Sequence, residues 1–324
     1  MRAIRAHQFG GPEVLQLDFL DDPVAGPGEV VIDVKAAGIN PADTYMRTGV
    51  YAIRPELPYI PGGDAAGIVS RVGADVADFA IGDKVFVGTA MGFDMTGCYA
   101  DKVPRAAENV LPLPEGIDFA QAACIGVPYT TAHYALFARG GAREGETVFV
   151  HGASGSVGTA AIQLAKRAGL RVIGSGGSEK GRDLILEQGA DHAVDHTADG
   201  YLDEVTRLTG GNGPELILEM LANVNLAADL DVAAKYGRIV IIGNRGEIAI
   251  NPRVAMMKEL DIRGIAMWNA DQALAREILL DLLKGLEAGE LAPVVGRRMP
   301  LAEAAAGHVA VLEPGAFGKI VLEP

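Results

Sequence analysis

The chain has 324 residues, of which 49% are hydrophobic and 22% are charged. That length is more than a single core usually holds, so we expect two domains with well-buried interiors. The formal net charge of −14 argues against a general binder of nucleic acids or anionic membranes, because both need a positive field. We therefore expect a small-molecule ligand, and neither a nucleic-acid nor a membrane partner.

The cysteine content and the N-terminal sequence bear on the compartment. Cys98 and Cys124 form no CxxC pattern, which indicates a reducing environment without a disulfide framework. The start of the chain, MRAIRAHQFGGPEVL, contains no apolar signal region, and no uninterrupted apolar run is long enough to span a bilayer. These features predict a soluble, cytoplasmic protein.

The first 120 residues are predicted to be rich in β-strands. One strand alternates along Val30–Lys35 and ends at Gly38, and shorter strands follow at Ala66–Val72 and Lys84–Val87. Glycine, proline and aspartate separate these strands. Such spacing is typical of a compact, barrel-like β domain.

From Asp118 onward the pattern becomes an alternation of strands and helices, which predicts an α/β fold with a doubly wound parallel sheet. The predicted strands are Val148–Val150, Arg171–Ser175, Ala193–Val194, Leu216–Leu221, Arg238–Gly243 and Ile262–Met267, and the predicted helices are Ser178–Gln188, Tyr201–Thr209, Leu226–Ala234 and Gln272–Leu286. A last strand at Gly318–Leu322 follows this region, and we expect it to return to the first domain.

A glycine-rich turn within Thr147–Ala168 is the strongest functional signal. An apolar strand leads into Gly152, Gly155 and Gly158, and an amphipathic helix follows. A strand, a glycine turn and a helix N-terminus together aim backbone N–H groups at one point, where they stabilise a phosphate. The spacing GxxGxxG differs from the commoner GxGxxG, and an ordinary strand–helix turn is the alternative. With both flanking elements strong, the turn predicts a nucleotide site.

The end of the second strand of this domain indicates which nucleotide binds. NAD-specific folds of this kind carry an Asp or Glu there to bind the ribose 2′-OH, whereas this chain has Ser175–Ser178 and no acid until Glu179. A missing acid removes repulsion against a 2′-phosphate, and Lys180, Arg182 and His196 are candidates to pair with one. The alternative is that Lys180 and Arg182 only solvate a helix face. We therefore expect NADPH, and we also expect cofactor contacts from the polar residues after later strands, at Asn223, Asn225, Asn244 and Arg245.

Six segments resemble the zeta-crystallin-like NADPH:quinone oxidoreductases, in the zinc-free branch of the medium-chain dehydrogenase/reductase superfamily. They are AAGINPADTYMRTGVY (36–51), LPYIPGGDAAGIVSRVG (57–73), IGVPYTTAHYAL (125–136), HGASGSVG (151–158), EMLANVNL (219–226) and INPRVAMMKE (250–259). The resemblance implies a GroES-like catalytic domain from residues 1–122 and 270–324, a Rossmann domain from residues 123–269, and an active site in the cleft between them. It also implies subunits that pair through the edge of the Rossmann sheet, as a homodimer or homotetramer.

The resemblance also implies an NADPH site. Tyr51 is expected near the nicotinamide, and Lys319 lies where the superfamily often has a basic residue near the cofactor. The other implied contacts are Ser154, Gly155, Ser156 and Val157 at the pyrophosphate, Gly177, Lys180 and His196 at the 2′-phosphate, and Asn225, Ile242, Gly243, Asn244, Arg245, Ile265, Ala266 and Met267 along the rest of the cofactor. Two departures from the family are Ser156, where Gly is common, and a loop at Thr89–Thr96 that looks longer than usual.

The positions of the zinc ligands in related enzymes carry other residues here. They read Asn40, Gly63-Asp64 and Ile125, which offer neither a thiolate nor an imidazole. The histidines at 7, 133 and 151 are scattered along the chain and are expected to be core or surface residues. We therefore expect no metal.

Without a Lewis acid, reduction of a plain carbonyl is disfavoured, whereas a quinone or another electron-poor conjugated carbonyl needs less activation. The protein would then act mainly by holding the nicotinamide against the acceptor. The candidates for contacting the acceptor oxygen or orienting the carboxamide are Asn40, Tyr45, Tyr51 and Thr131, although Tyr45 could equally serve packing. Two alternatives remain open at this point: an NADPH-dependent reductase of enones, alkenals or 2-haloacrylates, and a non-catalytic protein that binds NADPH or RNA.

Overall fold

The computed structural model describes residues 1–88, 96–315 and 317–324. These residues form two compact units, Met1–Thr130 with Ala270–Pro324, and Thr131–Asn269. The loop at Thr89–Thr96, for which an unusual length was predicted, lies outside the described residues except for Thr96.

The described residues contain fifteen strands and ten α-helices. The strands are β1 Arg2–Ala6, β2 Leu15–Phe19, β3 Glu29–Gly38, β4 Asp64–Val72, β5 Lys84–Val87, β6 Lys102–Ala106, β7 Val110–Pro112, β8 Thr147–Val150, β9 Arg171–Ser175, β10 His192–Val194, β11 Leu216–Glu219, β12 Arg238–Ile241, β13 Asp261–Gly264, β14 Val295–Pro300 and β15 Lys319–Glu323. The helices are α1 Pro41–Thr48, α2 Phe119–Ala122, α3 Gly126–His133, α4 Ser156–Arg167, α5 Glu179–Glu187, α6 Tyr201–Leu208, α7 Ala222–Val232, α8 Pro252–Lys258, α9 Gln272–Glu287 and α10 Ala304–Ala310. The longest of them, α9, has 16 residues, and no described helix is long and apolar enough to cross a membrane.

The first unit is built on a seven-stranded sheet with the order β14-β15-β3-β4-β5-β7, in which β6 also pairs with β3. The alternation predicted around Val30, Ile32 and Val34 is confirmed, since all three side chains lie in the core of this unit. The expected return of the last strand is also confirmed. β15 pairs antiparallel with the end of β3, at Val321–Gly38 and Leu322–Ala37.

The second unit contains six parallel strands in the order β10-β9-β8-β11-β12-β13. Counted within this unit, that order is 3-2-1-4-5-6, the order of a dinucleotide-binding fold. The central strands β8 and β11 are buried at every residue, which is typical of parallel strands inside an α/β domain. The order of the strands reverses between β8 and β11, and ligands of such sheets bind beyond the carboxyl ends of the strands at this point.

Several elements of the second unit differ from the predicted bounds. β11 ends at Glu219 and β12 at Ile241, each two residues before the predicted end, and two further elements differ more. The helix expected at Leu226–Ala234 is α7, which begins already at Ala222. It starts earlier because the Ala222 N–H donates to the Gly243 carbonyl, so the chain turns into a helix soon after β11 ends. The strand expected at Ile262–Met267 is β13, which ends at Gly264, and Met267 begins a short 3₁₀ turn.

The three glycines of the turn after β8 have separate structural roles. Gly152 adopts φ +56°, a left-handed conformation that favours glycine. A Cβ at Gly158 would lie 2.5 Å from the Ala153 Cα, so α4 packs directly against the backbone of the turn. At Gly155 the nearest atom to an added Cβ is the Gly152 carbonyl oxygen at 3.4 Å. The conformation of the turn therefore requires glycine at positions 152 and 158, whereas position 155 has room for a Cβ.

We expect Gly158→Ala to destabilise the second unit by about 1–3 kcal/mol, because the added methyl group meets backbone that cannot rotate away. This cost exceeds the roughly 1 kcal/mol that alanine gains over glycine within a helix. Urea unfolding followed by the fluorescence of Trp268, the single tryptophan, measures the effect.

Gly155→Ala is the matched control, and we expect it to cost less than about 1 kcal/mol, the loss typical of a changed helix N-cap. Equal losses of stability in the two variants would contradict the assigned roles.

Candidate active site

A buried ionic cluster lies at the start of β4 in the first unit. The Asp64 carboxylate accepts hydrogen bonds from the Lys319 ammonium at 2.5 Å, the Asn40 side-chain amide at 2.9 Å and the Val127 N–H at 2.7 Å. Lys319 Nζ also donates to Asn40 Oδ1 at 2.6 Å. Lys319 is only 1% exposed, and a Cβ at Gly38 would lie 2.2 Å from its Cε, so the glycine leaves space for the lysine stem. Lys319, expected near the cofactor, is therefore a buried ion-pair partner.

Asn40 precedes α1 and is fixed by both its side chain and its backbone. Its N–H donates to the Asp43 carboxylate at 2.8 Å, and Asp43 also accepts a hydrogen bond from the Tyr99 hydroxyl at 2.8 Å. Burial raises the pKa of Asp43 to about 7, against the lowering effect of these donors. Through the bonds of its side-chain amide to Asp64 and Lys319, Asn40 also ties the start of α1 to β4 and β15.

The same cluster bears on metal binding. Asn40 and Asp64 stand at two of the positions where zinc relatives have ligands, and Ile125, at a third, is a fully buried apolar residue. A cation, the Lys319 ammonium, already bonds to both polar side chains. The donor set contains no thiolate or imidazole, so these residues do not fit a catalytic zinc ion.

Two of the four candidate catalytic residues lie side by side. Tyr45 on α1 and Tyr51 just beyond it have ring centroids 6.0 Å apart, and both are partly exposed. Burial raises the pKa of Tyr51 to about 12, so its hydroxyl keeps its proton at neutral pH and can donate a hydrogen bond. Thr131 is buried in α3 and belongs to the second unit.

In the second unit, the predicted pyrophosphate residues lie around the N-terminus of α4, with Ser154 in the turn that precedes it. Gly155 is the N-cap, and Ser156 and Val157 begin the helix, so their N–H groups have no acceptor within the helix. The turn is fixed to β9 because the Ala153 N–H donates to the Ser175 carbonyl at 2.9 Å. The arrangement presents backbone donors and the positive end of the helix dipole to one point, as an anion site requires.

The predicted 2′-phosphate residues follow β9 and β10. A Cβ at Gly177 would lie 2.7 Å from His196 Nε2, so the structure brings these two residues together. Burial lowers the pKa of His196, although the neighbouring Asp195 carboxylate acts in the opposite direction. Arg182 donates to Asp195 at 2.7 Å, whereas Lys180 is exposed in the first turn of α5. Arg182 therefore already has an anionic partner.

The remaining predicted cofactor residues follow β11, β12 and β13. Asn225 lies in the first turns of α7, and its side-chain amide donates to Glu219 Oε1 at 3.2 Å. The segment 242–245 is joined to α7 because the Arg245 N–H donates to Asn223 Oδ1 at 2.9 Å. Residues 265–267 continue from β13, where the Ile265 N–H donates to the Ile241 carbonyl at 3.1 Å. Every predicted cofactor residue except Tyr51 and Lys319 thus lies in the second unit, beyond the carboxyl end of a parallel strand.

A buried cluster of three ionisable side chains near this edge was not predicted from the sequence. His151, Glu219 and Asp229 are all buried, with His151 Nε2 2.8 Å from Asp229 Oδ1 and 3.3 Å from Glu219 Oε2. His151 was expected only to be a core or surface residue, and Glu219 was treated as part of a strand. The feature of the sequence that could have revealed this cluster is Glu219 itself, an acidic residue within the apolar run LILEML.

Comparisons with known proteins agree with this architecture. Residues 26–115 match the model of the alcohol dehydrogenase GroES-like domain, and residues 156–284 match that of the zinc-binding dehydrogenases. Despite the second description, the residues at the zinc positions do not fit the metal, as shown above.

Among its relatives, the chain is 41% identical to human quinone oxidoreductase over 324 residues, which covers 99% of this chain and 97% of the human protein. It superposes on a solved NAD-dependent alcohol dehydrogenase with a TM-score of 0.92 and 33% identity, and on Escherichia coli quinone oxidoreductase complexed with NADPH with a TM-score of 0.87 and 27% identity. Both superpositions cover 100% of each chain. At this level of full-length identity, the chain belongs to the zeta-crystallin-like quinone oxidoreductase family of the medium-chain dehydrogenase/reductase superfamily.

Proposed function

We propose that the protein reduces quinones with NADPH by direct hydride transfer, without a metal. The main support for this proposal is the edge of the parallel sheet in the second unit. There, the N-terminus of α4 is a candidate pyrophosphate site, and Gly177 with His196 is a candidate 2′-phosphate site. The quinone part is supported by the human and bacterial quinone oxidoreductases to which the chain is similar.

The preference for NADPH over NADH is supported by the residues after β9. The strand ends at Ser175 and is followed by two glycines, so that no carboxylate stands where it would bind a ribose 2′-OH and repel a 2′-phosphate. The first acid, Glu179, begins α5. His196 beside Gly177 offers an imidazole that can donate a hydrogen bond to a phosphate.

NADPH supplies the hydride when bound, and the side chains of this chain position and stabilise the reactants. We propose that Tyr51 and Tyr45 donate hydrogen bonds to the acceptor oxygen, which becomes negatively charged as the hydride arrives. Asn40 holds α1, the helix that carries Tyr45, through its bonds to Asp64 and Lys319. Thr131 is proposed to orient the carboxamide, and the proton that completes the hydroquinone comes from water.

We also propose a homodimer formed through the second unit, in a reducing, cytoplasmic environment. β13 is the edge strand of the parallel sheet, and Ile262 on it is 40% exposed. Met256 and Met257 on α8 add exposed apolar surface, which together with an open strand edge is typical of an interface. Both cysteines are buried and neither forms a disulfide, in agreement with a reducing compartment.

We expect the purified protein to oxidise NADPH rapidly when it is mixed with 1,4-benzoquinone or 9,10-phenanthrenequinone, because these acceptors need no Lewis acid. Stopped-flow absorbance of bound NADPH measures the rate, with an alkenal as the competing acceptor class and buffer as the control. Faster oxidation by the alkenal would favour an enone reductase. Absence of oxidation with every acceptor would favour a binding protein without catalytic activity.

We expect Tyr51→Phe to lower kcat for the quinone by about tenfold. This is less than the 10²–10³ loss typical of a buried oxyanion donor, because Tyr51 is partly exposed. Tyr45→Phe should show a smaller loss, and the Kd of NADPH should change little in both variants. If both variants keep the wild-type kcat, the two tyrosines have no part in the mechanism.

We expect NADPH to bind more tightly than NADH, with a preference that grows as the pH falls from about 7.5 to 6. A phosphate dianion favours the protonated imidazole, and the lowered pKa of His196 leaves it mostly neutral at higher pH. His196→Ala should weaken NADPH binding by roughly tenfold, and Lys180→Ala by less, because charged hydrogen bonds are lost. The affinity for NADH, measured in parallel by titration calorimetry, serves as the control. Equal affinities for both nucleotides in the wild type would refute the cofactor assignment.

A further inference from the structure

The carboxylate of Glu219 stands at the point where the strand order of the second unit reverses. It is the last residue of β11, next to β8 in the sheet, and it is fully buried. Its carboxylate accepts hydrogen bonds from the Leu221 N–H and, at 3.2 Å, from Asn225 Nδ2. α7 begins directly after Leu221 and has no side-chain cap at its N-cap residue. The Glu219 carboxylate therefore takes over the role of a cap for this helix.

The first turn of α7 is in turn bonded to the segment after β12. The Ala222 N–H donates to the Gly243 carbonyl, and the Arg245 N–H donates to Asn223 Oδ1 at 2.9 Å. The Glu219 carbonyl itself accepts from the Ile242 N–H at 2.8 Å. A shift of the α7 start would thus move residues 242–245 as well, so one buried side chain determines the position of two segments.

The other side of the Glu219 carboxylate faces His151, the residue before the glycine turn. His151 Nε2 lies 3.3 Å from Glu219 Oε2 and 2.8 Å from Asp229 Oδ1. Burial raises the pKa of both acids and lowers that of the imidazole, because desolvation disfavours the charged form of each group.

A metal ion is a poorer explanation of this cluster, although the three ligand atoms lie within 4.8 Å of one another. A zinc ion held at about 2.0–2.1 Å from each ligand needs ligand atoms roughly 3 Å or more apart. The 2.8 Å separation of His151 Nε2 and Asp229 Oδ1 is a hydrogen bond.

We propose that Glu219 is a positioning residue for nucleotide binding: by capping α7 and orienting Asn225, it sets the arrangement of the cofactor segments 221–225 and 242–245. This inference rests on the proposed NADPH site. The segments that it positions are distinct from the Gly177–His196 pair, so Glu219 acts on the part of the site that NADPH and NADH share.

Glu219→Leu removes both acceptor bonds, and we expect the KM for NADPH and the Kd values of NADPH and NADH to rise by about tenfold each, while kcat at saturating NADPH changes less than about twofold. Glu219→Gln keeps an acceptor oxygen for Leu221 and Asn225 and resembles the protonated acid, so it should recover most of the lost affinity. Should Glu219→Leu fail to fold, Asn225→Leu tests the same bond and should also weaken both nucleotides.

Asp229→Leu is the matched control, because it removes a carboxylate from the same buried cluster without touching Leu221 or Asn225. We expect it to lower the melting temperature about as much as Glu219→Leu while nucleotide affinity stays within about twofold of the wild type.

Equal losses of affinity in the Asp229 and Glu219 variants, or a fall of kcat at unchanged KM in Glu219→Leu, would show a merely structural role and overturn the proposal. A wild-type protein that binds neither nucleotide would instead refute the proposed function, so the two failures are distinguishable.

Discussion

A buried carboxylate needs donors, and the two units supply them differently. The donors to Asp64 come from parts of the chain that are distant in sequence, whereas those to Glu219 come from the residues that directly follow it. An uncompensated buried charge costs several kcal/mol, so such a group is stable only where its partners converge on it. In the first unit, hydrogen bonds to Asp64 connect the last strand, the start of α1 and the start of α3. In the second unit, hydrogen bonds to Glu219 fix the start of α7, and its carboxylate also lies next to His151 at the end of β8. The donors are Lys319, Asn40 and Val127 for Asp64, and Leu221 and Asn225 for Glu219.

The partner of Asp64 also limits the chemistry that the first unit can support. Lys319 places an ammonium against Asn40 and Asp64, at positions that hold metal ligands in zinc relatives. An ammonium group offers no vacant coordination position, so it does not act on a substrate carbonyl as a Lewis acid does. The acceptors that remain suitable are those whose own conjugation makes them electrophilic, and quinones are of this kind.

In the second unit, the cofactor edge combines local and distant effects. The glycine turn is local, because Gly152 and Gly158 meet their requirements within a few residues of sequence. The position of Asn225 is local as well, since its side-chain amide bonds to Glu219, which lies six residues earlier. His196, by contrast, reaches Gly177 only because β9 and β10 are neighbours in the sheet.

The sequence by itself determined the α/β class, the parallel sheet, the glycine turn and the return of the last strand, because strand alternation, helix periodicity and turn chemistry act over short distances. It also indicated the segments of the cofactor site, since residues after parallel strands meet at one edge. Only the tertiary structure decided which charges pair: Lys319 with Asp64, which are 255 residues apart, and Arg182 with Asp195. It likewise decided that His151, Glu219 and Asp229 share one buried site. The physical reason is that burial and long-range hydrogen bonding depend on which strands become neighbours, and no local pattern in the sequence records this.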